Sequence, residues 1–237
     1  GIAYERVIYD GAKGVKNPNF EVSGTQTEVD GAADFQSMLA GEKLDVEVKL
    51  EKPQYSSVNG TYDFVKAVFN YSANSLKSIG PEFRTELDKL LAKAKTPLQN
   101  YYDKLKELGY DLKTSGTAIP LSVFNQLGRK GLNLQSKITQ RVTLDEKVLE
   151  ELYNAKGVYY IQIKGKGIYY MGKNPLNLPF PKLEGKVNVT LRIARSATDK
   201  NGNVRPILRF LPDDMEITGP KSNHSIDTAA GINKLLN

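Results

Sequence analysis

The chain has 237 residues, 40% of them hydrophobic and 25% charged, enough to bury a real core in one large domain or in a core with a sizeable insertion. It has no cysteine, which excludes disulfides and thiolate metal sites, and a single histidine, His224, so any histidine-based triad or metal site would have to use that one residue. The net charge of +6 is uneven: residues 1–150 carry 20 basic and 20 acidic side chains, residues 151–237 carry 13 and 7, and from Lys156 to Arg209 11 basic residues meet only Glu184 and Asp199.

A basic excess on so short a stretch predicts a polyanion partner. No stretch approaches the roughly 18 apolar residues needed to cross a bilayer, and no signal peptide is evident. A soluble, cytoplasmic protein without membrane contact is therefore expected, in the host cytoplasm if a phage encodes it.

In chain order, residues 2–9 read as a short helix, followed by a Gly/Asn/Pro loop through Ser23. Residues 28–39 and 43–51 read as a hairpin turning at Ala40-Gly41-Glu42. In its second arm Leu44, Val46, Val48 and Leu50 alternate with Asp45, Glu47, Lys49 and Glu51, the period of a half-buried strand with a charged outer face. Residues 61–79 carry Phe64, Val68, Tyr71 and Leu76 at near-helical spacing. Pro81 and Pro97 read as first-turn prolines opening helices 81–95 and 97–108, with Gly109 as a stop. Thr143 with Glu146 reads as a capping box for a helix ending at Gly157. Residues 158–172 predict a hairpin turning at Lys164-Gly165-Lys166. Residues 186–195 are expected to pair with 204–211 across an Asn-Gly turn. Residues 219–237 read as a loosely held tail or terminal helix, with His224 solvated. The expected fold is α/β in one domain spanning 1–237, with a helical block at about 61–157, a basic β-rich region at about 158–218 and a tail at 219–237.

Without histidine or cysteine, chemistry must come from carboxylates, lysines and hydroxyls, which favours hard cations such as Mg²⁺ or Mn²⁺. Four carboxylate-x-lysine triplets occur: Glu47-Val48-Lys49, Asp111-Leu112-Lys113, Asp145-Glu146-Lys147 and Glu184-Gly185-Lys186. Only Glu47 and Lys49 lie on a regular alternating strand, and so on one face. Asp34 precedes them across the hairpin. Two carboxylates converging from neighbouring strands can hold a divalent cation that activates water and stabilises a phosphodiester transition state, while Lys49 orients the water or neutralises the phosphate. The Val48 carbonyl is a natural further oxygen ligand. The opposing possibility is a solvent-facing strand with a cross-strand salt bridge, which contributes only about 0–1 kcal/mol.

The text AADFQSMLAGEKLDVEVKLE resembles the PD-(D/E)xK nuclease superfamily, with Asp34, Glu47 and Lys49 in the three motif positions and Ala33 where a proline is usual. The resemblance covers residues 28–51. It implies a mixed central β-sheet flanked by helices (restriction-endonuclease-like), Mg²⁺ (or Mn²⁺) dependence and a nucleic-acid substrate, with DNA expected. The segment YYIQIKGKGIYYMG is fainter in its likeness to bacteriophage-encoded members of this group. Asp30 is an alternative to Asp34 as first carboxylate. Gln54 matches a polar position that some members place beside the scissile phosphate, Glu5 is a candidate carboxylate from the first helix, and Asp45 is a candidate partner for Glu47. The proposed nucleic-acid contacts are Lys164, Lys166, Arg192, Arg195, Arg205 and Arg209. Tyr159, Tyr160, Tyr169 and Tyr170 offer base stacking, with one of each adjacent pair expected in the core. The competing functions are a non-catalytic nucleic-acid-binding protein of nuclease-like fold and a phage structural or assembly protein. A homo-oligomer is compatible with each.

Overall fold

The computed structural model describes residues 2–26 and 33–236, so Asp30 lies outside the described residues. In chain order the elements are α1 (Ile2–Lys13), β1 (Phe20–Thr25), β2 (Phe35–Leu39), β3 (Glu42–Lys49), β4 (Val58–Asp63), β5 (Val68–Tyr71), α2 (Ala73–Lys77), α3 (Pro81–Glu107), β6 (Ile119–Pro120), α4 (Leu121–Gly128), α5 (Leu134–Ile138), β7 (Gln140–Asp145), α6 (Lys147–Asn154), β8 (Tyr160–Ile163), β9 (Gly167–Tyr170), β10 (Gly185–Arg195), β11 (Asn203–Val204), β12 (Pro206–Ile217) and α7 (Ala229–Leu236). The class is mixed α/β. The chain forms two compact units, one from Gly1–Tyr55, Leu144–Val187 and Asp213–Asn237, the other from Ser56–Thr143 and Asn188–Pro212. Among the described residues no helix is long and apolar enough to cross a membrane.

The first unit is built on a mixed sheet of order β1-β2-β3-β8-β9, antiparallel except for the parallel pair β3–β8. The β2–β3 hairpin turns at Ala40-Gly41, where φ is 52° and 82°. Two successive left-handed residues are what a two-residue hairpin loop with matching twist requires. Phe35 pairs with Val46 and Ser37 with Leu44, so alternation sends Phe35, Leu44, Val46 and Val48 to one face. There they form a core with Tyr4, Ile8 and Ala12 of α1 and Ile232 of α7. The opposite face carries Glu47, Lys49, Ile161 and Ile163 and receives Tyr153 from α6. Both faces of β3 are therefore covered, and the expected solvent-facing charged row does not form around Glu47.

Two further differences concern this unit. Residues 20–23, read as the end of a loop, belong to β1 (Phe20–Thr25) along β2, with a register shift between Val22 and Gly24 that masks the alternation. The segment before α7 is also no loose tail. His224 accepts the Ile168 N–H through its carbonyl (3.0 Å), and Ser222 donates its N–H to the Tyr169 hydroxyl (3.3 Å). Gln162, fully buried on β8, accepts the Ile226 N–H (3.0 Å). The His224 ring is half-buried, tilted against Phe180 at 5.8 Å between ring centres, so it is not a solvated side chain.

The second unit holds most of the other sheet, of order β5-β4-β12-β10-β7. Residues 61–79 are not one helix but the β4–β5 hairpin followed by short α2. The Asp63 carboxylate accepts the N–H groups of Val65 (3.0 Å) and Lys66 (2.8 Å), and Ala67 is left-handed at φ 54°, which together close the turn. Pro97 does not open a helix, because α3 runs through it for 27 residues. An interior proline forfeits a hydrogen bond and crowds the preceding turn, at about 3 kcal/mol. The buried stripe of Leu87, Leu90, Ala94, Leu98, Tyr101 and Leu105 offsets it on both sides. The stop at Gly109 does occur, at φ +87°. Thr143 lies in β7, where its hydroxyl donates to the Asn188 amide oxygen (2.7 Å), and it caps no helix. Glu146 reaches the N–H of Gly185 (3.2 Å) instead of closing a capping box.

Candidate active site

Asp34, Glu47 and Lys49 meet. Asp34 sits one residue before β2, and continuing the Phe35–Val46 register places it across from Glu47 on the same face. Its Oδ2 accepts the Val48 N–H at 2.9 Å and lies 3.3 Å from Lys49 Nζ. Lys49 Nζ also contacts Glu47 Oε1. One ammonium thus bridges both carboxylates. All three are sequestered: Glu47 is 6% exposed, Asp34 7%, and the Lys49 side chain 17%.

The surroundings are polar on several sides. Tyr153, fully buried on α6, donates its hydroxyl to Glu47 Oε1 at 3.2 Å. Lys156, just past α6, lies over the Tyr153 ring at 5.4 Å from its centre. Glu5 of α1 is buried, and its Oε2 has no hydrogen-bond partner among the described residues. Burial, then the Asp34 charge, raise the Glu5 pKa, against the pull of Lys49. Lys49's carbonyl accepts the Lys164 N–H (2.8 Å) on the β8 side. Alternation sends the Val48 carbonyl to the other edge of β3, the edge where Asp34 holds the Val48 N–H.

Burial pushes the Glu47 carboxyl up to about 6, with Lys49 opposing and Asp34 adding to the rise. Burial alone would favour a neutral Lys49, but the two carboxylates outweigh it and its pKa is raised. The Glu47 shift has a sign that can be tested. Folded Glu47 binds its proton more tightly than an ordinary carboxyl at 4.5. Its stabilising contribution is therefore complete below pH 4.5 and is lost as pH rises through 6. Moving from pH 7.5 to pH 5 should regain about 1 kcal/mol from this group. Urea unfolding of the wild type and of Glu47→Gln at both pH values measures it. An identical pH dependence in the two proteins would show that Glu47 is not the titrating group.

The other predicted site residues fall into distinct places. Gln54 is exposed beyond β3, pairs through its backbone with Asp213, and takes no part in the hydrogen bonds joining the three central residues. Asp45 is paired with Lys43 at 3.1 Å. Lys164 and Lys166 flank the left-handed Gly165 in the β8–β9 turn, and Lys164 Nζ lies 5.6 Å from the centre of the Tyr4 ring. Arg192, Arg195, Arg205 and Arg209 belong to the second unit. Arg195 and Arg205 are exposed, Arg192 is half-buried, and Arg209 Nε donates to the Asn59 amide oxygen at 3.0 Å. Tyr160 and Tyr169 are core residues, while Tyr159 and Tyr170 are half-buried. Among the described residues no three His, Cys, Asp or Glu side chains are grouped to hold a metal ion. The oxygen groups that could face a cation here are the Asp34 and Glu47 carboxylates, with the Val48 carbonyl on the edge of β3 where Asp34 sits.

Neither a protein family nor a curated protein matches the chain. A solved structure of HhaI endonuclease in complex with DNA aligns with 98% of this chain and 95% of that one, at 12% identity and a TM-score of 0.40.

Proposed function

We propose that this chain is a metal-dependent nuclease hydrolysing phosphodiester bonds in DNA, with Asp34, Glu47 and Lys49 as its active site. The observation that carries the reading is the convergence of two buried carboxylates on a single cationic centre, in the order carboxylate, hairpin, Glu-x-Lys. The Lys49 ammonium occupies the place where positive charge is wanted, which fits the oxygen donors around it to a hard cation. A bound Mg²⁺ or Mn²⁺, held by Asp34, Glu47 and the Val48 carbonyl, would supply Lewis-acid polarisation of the phosphate and a lowered pKa for water. The residues' own work is to hold and orient. Asp34, fixed by the Val48 N–H, and Glu47, fixed by Tyr153, present preformed negative charge. Lys49, released from its carboxylates, orients the attacking water or neutralises charge on the transferring phosphate.

Lys164 and Lys166 in the first unit, and the four arginines in the second, are assigned to the DNA backbone. Each phosphate contact releases counterions and steepens the dependence of affinity on salt by about 0.9 in log–log slope. Neutralising Arg192, Arg205 and Arg209 together should flatten that slope by roughly two to three in fluorescence-anisotropy titrations. An unchanged slope would place the nucleic-acid surface elsewhere.

The complete pairing of the carboxylates by Lys49 favours one competing reading, a nucleic-acid-binding protein in which the three residues are a structural ion pair. Purified protein incubated with supercoiled, linear and single-stranded DNA, with and without Mg²⁺ or Mn²⁺, separates the two. Metal-dependent cleavage is expected. DNA binding without cleavage under every metal condition would establish the competing reading.

A further inference from the structure

We infer that Tyr153 is a positioning residue of this site, acting through Glu47; the inference rests on the nuclease reading above. Glu47 sits in the interior of β3 and Tyr153 in the last turn of α6, 106 residues later. Both are buried, and the hydroxyl lands on Oε1, the same Glu47 oxygen that contacts Lys49. Fixing one carboxylate oxygen from two directions sets the rotation of the whole group, and with it where the second oxygen points. The Tyr153 ring is itself immobilised: it is fully buried, in a helix whose Val148, Leu149 and Leu152 are buried beside it. Its hydroxyl cannot swing away as a surface side chain would. Lys156, over that ring at 5.4 Å from its centre, adds positive charge near the Glu47 carboxylate. Thus α6 and the residues just after it supply to the site both an orienting donor and a cation.

A tyrosine with a purely packing role would give the same burial, so the test must read the carboxylate and not the fold. Tyr153→Phe keeps the ring and removes only the donor. Its counterpart is Tyr160→Phe, which removes another buried hydroxyl in the same unit, one bonded to Asn174 (2.8 Å) and to the Leu176 N–H (3.0 Å). Calorimetric titration with Mn²⁺ alone reads the effect without catalysis. Removing a partner that orients a metal-holding carboxylate typically costs about 10–100-fold in metal affinity or activity. Tyr153→Phe is expected to weaken Mn²⁺ binding by at least about tenfold and to lower kcat with little change in KM for DNA. Tyr160→Phe should leave the Mn²⁺ affinity at the wild-type value. Wild-type affinity in Tyr153→Phe overturns the inference while the nuclease reading stands. An equal loss in both variants also overturns it, as a general loosening of the unit. Failure of the wild type to bind Mn²⁺ overturns the metal reading and this inference with it.

Discussion

Replacing Glu47 by glutamine is expected to abolish metal-dependent DNA cleavage while leaving a folded protein. The amide keeps the size of the side chain and an oxygen able to accept from Lys49 and Tyr153, so the contacts that cover this face of β3 survive. What it loses is the negative charge that would hold a cation and stabilise its position against the phosphate. Interactions aimed at charge in the transition state are worth roughly 10²–10³ in kcat when one is removed, and a ligand to the metal belongs at or above that range. Glutamine is the better probe than alanine here, because Glu47 is buried and truncation would leave a cavity beside the Lys49 ammonium. Gel assays on supercoiled DNA, alongside circular dichroism, measure both halves of the prediction. DNA binding without metal should be unchanged or tighter, since one negative charge beside the phosphate path is gone. Cleavage at the wild-type rate by Glu47→Gln would move the active site away from β3.

The second large effect is on stability. Lys49→Met should lower the unfolding free energy at pH 7 by about 3 kcal/mol, because it removes the counter-ion from two sequestered carboxylates. Asp34 would keep the Val48 N–H and Glu47 the Tyr153 hydroxyl, which limits the loss to the lower end of what breaking a buried pair costs. The deficit should shrink at pH 5, where Glu47, already raised to about 6, takes a proton and no longer opposes Asp34. Added Mn²⁺ should restore part of it by replacing the lost charge, a linkage that the wild type shows more weakly because Lys49 competes for the same carboxylates. Urea titrations with and without Mn²⁺ at both pH values decide the matter. A stability equal to wild type at pH 7 would show that Lys49 is not the counter-ion of this pair.

How far the amino-acid sequence reveals this arrangement depends on distance along the chain. The β2–β3 hairpin was readable because its signals are local: Ala40-Gly41 supplies the turn, and Leu44, Val46 and Val48 alternate with charged residues. The same period puts Asp34, Glu47 and Lys49 on one face, whatever their role. It says nothing of what lies over that face. Tyr153 is one more apolar position of an amphipathic helix until the fold brings its hydroxyl to Glu47, so burial of the carboxylates was not legible. Elsewhere local signals were outweighed. The spacing of Phe64, Val68, Tyr71 and Leu76 suits a helix, but β-branched and aromatic residues crowd the segment and Asp63 closes a turn in its middle. Pro97 looks like a boundary only until the buried stripe on either side of it is seen. Thr143 and Glu146 have capping-box spacing, yet each finds a stronger partner far along the chain, Asn188 and Gly185.

The parallel pairing of β3 with β8 has a consequence for synthesis. Val46 must find Tyr160 and Glu47 must find Tyr153 across the whole of the intervening second-unit segment Ser56–Thr143. Pairings so distant in sequence close late and slowly, since the loop entropy must be met before the contacts form. A nascent chain that ends before Leu144 carries Asp34, Glu47 and Lys49 but neither α6 nor β8. Its Glu47 lies on a strand whose β8 edge is open, without the tyrosine that orients its carboxylate. On the ribosome, then, the site stays chemically incomplete until α6 and β8 have been made, and it comes into being only as the first unit closes.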